Sequence, residues 1–551
     1  MWKRIPASTA ALLALVTVQL LFLVGPLAAL VVKSLRNDEG VWSLVPLWEF
    51  LSSPGIVQAS LNTLWIAVAV VLVTVPPAFL YAYAVQRAAV PLKGLWRLLG
   101  LAALLGPSLV GAVAFIQWFG NQGVLKPLMG SVSIYGPLGI IGGTAFAAFP
   151  HALMILMVAL AGADGRLYEA ARAMGASPWK IFRTVTLPSA RYGLVSAGMV
   201  VFAYSVSEFG VPKVIGGNFK VLAVEIYVQA VGLQNFARGG MVALMLILPV
   251  FAASVVEYVL RKNNRAALSA RATPLHILPS RLRDAIWFAY VVSVATVLLG
   301  LLGMTVYTAL IKFWPYNLEF TLNHFKYGFE EAGVGNAFLN SLELAIGTAV
   351  LGTPLAFVGA YIAEKTRADG SAIAGAYRLF AMLPMGVPGL ALGLGAILLF
   401  NHSENPLAFL YRTMPLLIGI TVVHFYAACH VAATAALRAL DREFESISAS
   451  LKVSQWLTFW RVTLPVCMPA ILDIFRYLFI NAMTTVSAVV FLYAPETLPA
   501  TVSIINLDEA GEMGPAAAMA TLVMASNLAF CVAHAVLSHF LLRRSRAWRS
   551  R

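Results

Sequence analysis

Long apolar runs alternate with short polar or basic stretches along almost the whole chain. A helix that crosses a bilayer needs about 20 mostly apolar residues. Runs of that kind are read at about 9–32, 57–85, 96–119, 138–161, 191–209 and 241–260. They recur at about 285–311, 336–363, 377–400, 414–437, 468–492 and 515–542. The pattern predicts an all-α integral membrane protein with about twelve transmembrane helices. The start, Met1-Trp2-Lys3-Arg4 and an apolar stretch to Val32, is too long for a signal-peptide core and reads as an uncleaved first span.

Between the sixth and seventh runs lie Arg261-Lys262-Asn263-Asn264-Arg265 and Pro279-Ser280-Arg281-Leu282-Arg283. This basic, proline-containing segment reads as a boundary. The expected organisation is a first half over 1–260, a linker over 261–284 and a second half over 285–551. Internal similarity supports the division. Asn62-Thr63-Leu64, Pro76, Ala78-Phe79 and Ala82-Tyr83 match Asn340-Ser341-Leu342, Pro354, Ala356-Phe357 and Ala360-Tyr361 at a separation of 278. Trp179, Phe182, Val185 and Thr186-Leu187-Pro188 match Trp456, Phe459, Val462 and Thr463-Leu464-Pro465 at 277. Two homologous halves of six helices each, in parallel orientation, are predicted.

Composition changes the picture in two ways. The chain is 60% hydrophobic and 11% charged, against roughly 25% charged in soluble domains. Its net charge is +14, but the basic residues lie between apolar runs, which points to orientation in a membrane and not to nucleic acid. With the N-terminus inside, inner segments hold 28 Lys and Arg and outer segments 9. Both termini are therefore expected in the cytoplasm. Cys429, Cys467 and Cys531 form no pair at metal or redox spacing and read as small buried hydrophobes.

Two loops between the fourth and fifth spans of their halves carry the strongest signal. The first runs from Asp164 through Glu169-Ala170-Ala171, Gly175-Ala176-Ser177 and Phe182 to Leu187-Pro188. The second runs from Asp441 through Glu445, Ser446, Ser448, Lys452 and Phe459 to Leu464-Pro465. The alanines favour helix and present little bulk. Gly175 suits a positive φ between two short helices.

The first loop resembles the EAA loop of binding-protein-dependent ABC importer permeases. Glu169, Gly175 and Pro188 fit that pattern's spacing. The resemblance covers about 57–260 and 336–540. It implies the type I ABC importer transmembrane fold in a multi-pass protein of the bacterial inner membrane. It implies that both loops, by Glu169, Ala170, Ala171, Gly175, Ala176, Ser177 and Phe182 and by Glu445, Ser446, Ser448, Lys452 and Phe459, dock an ATPase subunit present in two copies. Ala171 is expected in close contact with that subunit. In the second loop Ser446 stands where Glu169 does, Lys452 where Gly175 does, and Glu445 one place early. Looser docking of the second loop is expected from these changes.

No G-x-x-x-x-G-K-[ST] occurs in the sequence, so ATP and Mg are expected on the partner ATPase, with no catalysis and no cofactor on this chain. An extracytoplasmic binding protein and membrane lipid complete the expected partners. Tyr204, Ser207, Glu208, Asn481, Thr484 and Ser487, in and just beyond the fifth and eleventh spans, read either as a polar wall of the translocation pathway or as interhelical hydrogen bonding. Asp473 and Arg476 are spaced to pair on one helix face. His151, His424 and His430 read as satisfied structural residues. Leu105-Gly106-Pro107 and Pro384-Met385-Gly386-Val387-Pro388-Gly389 read as irregular helix in the third span of each half.

For the solute, two stretches resemble the 2-aminoethylphosphonate branch of the family: Glu208 to Phe236, and Val486 to Pro495 continuing through Asn506-Leu507-Asp508-Glu509 and Pro515. Ferric iron, then thiamine or a polyamine, is the alternative. A major-facilitator-like secondary transporter also has two parallel six-span halves, but leaves the Glu169–Pro188 loop without a role.

Overall fold

In the computed structural model the chain is described over residues 7–36, 41–267, 273, 275, 277–330, 334–366, 371–402, 404–440 and 443–546. Residues 1–6 and 547–551, Asp441 and parts of the linker lie outside the described residues.

Apolar side chains on all faces, with backbone hydrogen bonds closed inside each segment, make helices the only open-chain solution in lipid. The spans are Ser8–Leu35, Pro54–Arg87, Pro137–Ala161, Pro178–Ser207, Phe236–Val259, Arg281–Ala309, Gly335–Lys365, Met414–Arg438, Gln455–Thr484 and Met513–Leu541. Among the described residues these ten are long and apolar enough to cross a membrane, and a further pair, Ala372–Gly386 with Gly389–Phe400, is bent by 110°. The run at 96–119 is not one helix. It divides into Lys93–Gly100, a 3₁₀ turn Ala102–Leu105 and Leu109–Phe119. The eleventh span ends at Thr484 and not near 492, and the sixth helix continues to Ala267, into the segment read as linker. A small antiparallel hairpin, Ile311–Phe313 with Asn317–Phe320, follows the seventh span.

The two interrupted third spans share one design. Each runs a helix into a 3₁₀ turn, then an extended residue, Gly106 or Val387, then a second helix. Such a break frees carbonyls that lipid cannot satisfy. In each half the sixth span of the other half satisfies one. Asn527 Nδ2 donates to the Leu105 carbonyl (2.8 Å), and Ser254 Oγ donates to the Met385 carbonyl (2.8 Å). Met524 and Phe251, one turn away, fill the space left by Gly106 and Gly386. The breaks thus bind the halves to each other.

The first helix of each half packs on the opposite half. Phe22 stacks near Phe400 (ring centroids 5.7 Å), and Pro26 approaches Gly395 so closely that any side chain there would strike its carbonyl. In return the seventh span lies along the first half. Tyr290 donates to the Pro77 carbonyl (3.0 Å), Trp287 meets Tyr83 (5.0 Å) and the Gly300 carbonyl accepts from Trp118 (3.2 Å). The repeat in the sequence is thus not the packing unit.

Candidate functional site

The two loops between the fourth and fifth spans lie at the end of the bundle where the basic residues concentrate, and they fold alike. The first has helix Gly165–Ala173, a turn, helix Pro178–Ile181 and a π turn Phe182–Thr186 that opens into the fifth span. The second has Glu443–Ser450, a turn, Gln455–Thr458 and the π turn Phe459–Thr463. Ser177 and Ser454 cap the second helices, accepting from Lys180 N (3.3 Å) and Leu457 N (3.2 Å). Ala176 N bonds the Ala171 carbonyl and Val453 N the Ser448 carbonyl, closing each first helix.

Gly175 takes φ +70, the left-handed turn expected of it. Lys452 takes φ +56 at the matching place. The expected looseness of the second loop therefore has no basis in its backbone path. Lys452 accepts a conformation that costs a non-glycine residue about 1–2 kcal/mol, and the surrounding caps hold it there.

Burial sorts the named residues into two groups. Ala171 is only 6% exposed. It faces the protein, which corrects the expectation that it meets a partner. Phe182 is an anchor too, between Phe79 (6.2 Å) and Tyr83 (5.7 Å). Phe459 repeats this between Phe357 (6.3 Å) and Tyr361 (4.7 Å). The outward group holds Glu169, Ala170, Gly175, Ser177 and Ser446. Large apolar side chains stand beside them: Met174 79% and Trp179 70% exposed, with Leu451 70% and Trp456 66% on the second loop. Each tryptophan stacks on its anchor phenylalanine (5.5 and 5.7 Å). Apolar patches exposed in this way mark interaction sites.

Sequence reading missed one pair of residues. Arg87 and Lys365 end the second span of each half and are both buried. Arg87 donates to the Leu160 carbonyl (2.5 Å) and lies 4.8 Å over the Tyr168 ring. Lys365 donates to the Leu440 carbonyl (3.0 Å) and pairs with Glu445 (3.2 Å). Tyr168 and Glu445 are 277 apart. Glu445 therefore holds the loop to the span, in the place of Tyr168, and is not a displaced Glu169. The 278 register between Arg87 and Lys365 was the signal that could have found the pair.

The residues read as a passage wall are engaged either by their own helix or by a neighbouring span. Asn481 donates to the Tyr477 carbonyl (2.7 Å) and Thr484 to that of Ile480 (2.9 Å). Tyr204 packs on His151 (5.2 Å). Ser207 is half-buried. Glu208 is buried, and its carboxylate accepts from Ser108 Oγ (2.7 Å) and Val211 N (3.1 Å). It ties the end of the fifth span to the break in the third, which favours the structural reading. A Cβ on Gly210 would come 3.1 Å from Ser108 Oγ, and one on Gly389 2.3 Å from Ser487 Oγ. The same junction is thus a serine against a glycine in both halves, with the two residues exchanged.

Asp473 and Arg476 pair as expected (3.0 Å). All three cysteines are free. His430 is buried and His151 and His424 are half-buried, and they are not fully satisfied, since Nδ1 of each has no hydrogen-bond partner.

At the opposite end the two stretches picked out for the solute meet across the halves. Lys213 pairs with Glu509 (2.5 Å) and lies 4.8 Å over the Tyr227 ring, which itself packs near Phe491 (6.3 Å). Burial, with repulsion from Glu509, pushes the neighbouring Asp508 carboxyl up to about 6.

Broken spans between interlocked halves, with paired loops presented at one end, define a multi-pass membrane transport protein. The chain matches the family model described as the inner membrane component of binding-protein-dependent transport systems, over residues 19–314 and 352–543, and it belongs to that family. It is therefore an ABC importer permease for a small solute. It is 26% identical to a ferric transport system permease protein of Actinobacillus pleuropneumoniae, over 94% of this chain and 76% of that protein. A putative ferric transport system permease protein of Haemophilus influenzae is 26% identical over 89% and 78%. The thiamine transport system permease protein of Salmonella typhimurium is 25% identical over 68% and 69%.

Proposed function

We propose that this chain supplies the whole membrane passage of an ATP-driven importer, with its basic end in the cytoplasm. Each loop docks one copy of an ATPase subunit, and a binding protein delivers the solute at the opposite end. The observation that carries this is the pair of matching loops, each offering large apolar side chains to water. Met174 and Trp179, with Leu451 and Trp456, would be costly to leave exposed without a partner. The test is co-purification of the ATPase with Met174→Glu and Leu451→Glu variants. Both should lose it by tenfold or more, and full retention by both would sink the reading.

Ferric iron is the solute this reading favours, because two ferric permeases align with about nine-tenths of the chain. A second reading, 2-aminoethylphosphonate, is supported by the meeting of the two resembling stretches around Lys213 and Glu509. Proteoliposomes holding permease, ATPase and binding protein should take up labelled ferric ion, with no competition from the phosphonate. The reverse result would exchange the two readings.

A further inference from the structure

At the basic end, a cavity of about 530 Å³ opens between the sixth span of the first half and the ninth and tenth spans of the second. Its three sides differ in chemistry. Phe251, Val255 and Leu379 form an apolar wall that is exposed on the chain's membrane-facing surface. His430 and Thr434 form the back. Both are more than nine-tenths buried, and His430 Nδ1 and Thr434 Oγ1 have no hydrogen-bond partner. The rim is charged. The buried Glu364 carboxylate is shared by Arg438 (2.8 Å) and Arg378 (3.0 Å), whose side chains remain 51% and 31% exposed.

We propose that this cavity is a binding site for one anionic phospholipid of the adjoining leaflet. The spans cross the bilayer, so an apolar wall open to the side is met by acyl chains and not by water. Arg438 is the last residue of the tenth span, and Arg378, within the helix Ala372–Met382, reaches the same Glu364 carboxylate. Both guanidiniums remain partly exposed beside the cavity and can donate to a phosphate, and basic clefts between helices are a known means of headgroup recognition. A glycerol backbone or hydroxylated headgroup would give His430 and Thr434 the partners they lack, which matters because an unsatisfied buried polar atom is costly. The cavity is large enough to admit part of one acyl chain. The occupant would bridge the halves beside the Ser254–Met385 hydrogen bond, holding closed an interface that transport has to move.

The site does not depend on the docking reading above, and the same preparation reports on both. The chain is purified in detergent from membranes rich in phosphatidylglycerol, and retained lipid is counted by native mass spectrometry. About one phosphatidylglycerol per chain is expected. Two variants fill the cavity from different spans: Gly375→Leu, where a Cβ meets nothing within 4 Å, and Val255→Trp. Each should lower retention at least tenfold. Added phosphatidylglycerol should raise the thermal midpoint of the native chain but not of Gly375→Leu, while phosphatidylcholine and soluble glycerol phosphate raise neither. Lipid retained equally by both variants, no lipid on the native chain, or an equal shift with glycerol phosphate would each overturn the proposal. ATPase co-purification should be unchanged in both variants.

Discussion

Gly175 and Lys452 show one backbone turn met by two different residues. At Gly175 a Cβ has open space, so only the left-handed φ opposes a side chain. Gly175→Ala should cost about 1 kcal/mol in unfolding free energy, and Lys452→Gly should gain no more than about 1 kcal/mol, the relief of strain being partly offset by chain entropy. Denaturant titration in detergent reads both, and a stabilising Gly175→Ala would refute the assigned turn. Ala171→Glu should destabilise the chain itself by about 3 kcal/mol, because it buries a charge. Met174→Glu should leave the melting temperature unchanged and act only on the partner. Asp508 gives a pH signature. Its carboxyl is held above its unfolded range, so the folded state binds the proton more tightly. Its contribution favours folding below about pH 4 and is lost as pH rises through about 6. Asp508→Asn should flatten that part of the melting profile, and an unaltered profile would count against the burial described. The positive φ at Gly175 was legible in the sequence because glycine is the cheap solution there. Lys452 hid the same turn, since a residue type reveals a left-handed position only when strain decides its identity.

Spans and loops were read from hydropathy and spacing, and those readings hold where local chemistry decides. The irregular third spans followed from Gly106-Pro107 and Pro384 to Gly389. Hydropathy overran at 485–492, an apolar stretch that folds as turns, because burial against neighbouring protein selects the same residues as lipid does. The ties at Arg87 and Lys365 were not legible, since a basic residue at a span's inner end is ordinarily an orientation signal. They connect the second span to the first helix of each loop, so they belong to the path by which loop movement reaches the membrane. Arg87→Gln and Lys365→Gln should leave the ATPase bound but raise the ATP hydrolysed per solute imported several-fold, with Arg87→Lys restoring part of the coupling. A normal ratio in the double variant would make both residues mere packing.

At the scale of the whole molecule, the sequence repeat predicts two halves, while the structure exchanges their first helices. Hydropathy names the solvent of a helix and says nothing of its neighbours, so the exchange could not be read in advance. Fragments 1–270 and 271–551 expressed separately should be degraded, and together they should assemble and transport. An abundant, folded lone fragment in the membrane would contradict the exchange.

The exchange also has a consequence in time. Helices enter the membrane in the order of synthesis, but the first span rests on residues 389–400, made more than 350 positions later. Until then its company is lipid and the sixth span, whose Gly240 lies against Leu30 and Ser34. Its sequence is suited to the wait. Only 28% of its most apolar stretch is buried in the finished protein, and 22% of that of the seventh span, its counterpart. Both are apolar enough to be inserted before their final neighbours exist, with mean hydropathy 2.4 and 2.3 in their most apolar stretches, although the burial of Gln19 waits for those neighbours. The two helices that cross between the halves are the ones able to drift until their places exist, so a polar substitution on their lipid faces should harm biogenesis more than the stability of the assembled transporter.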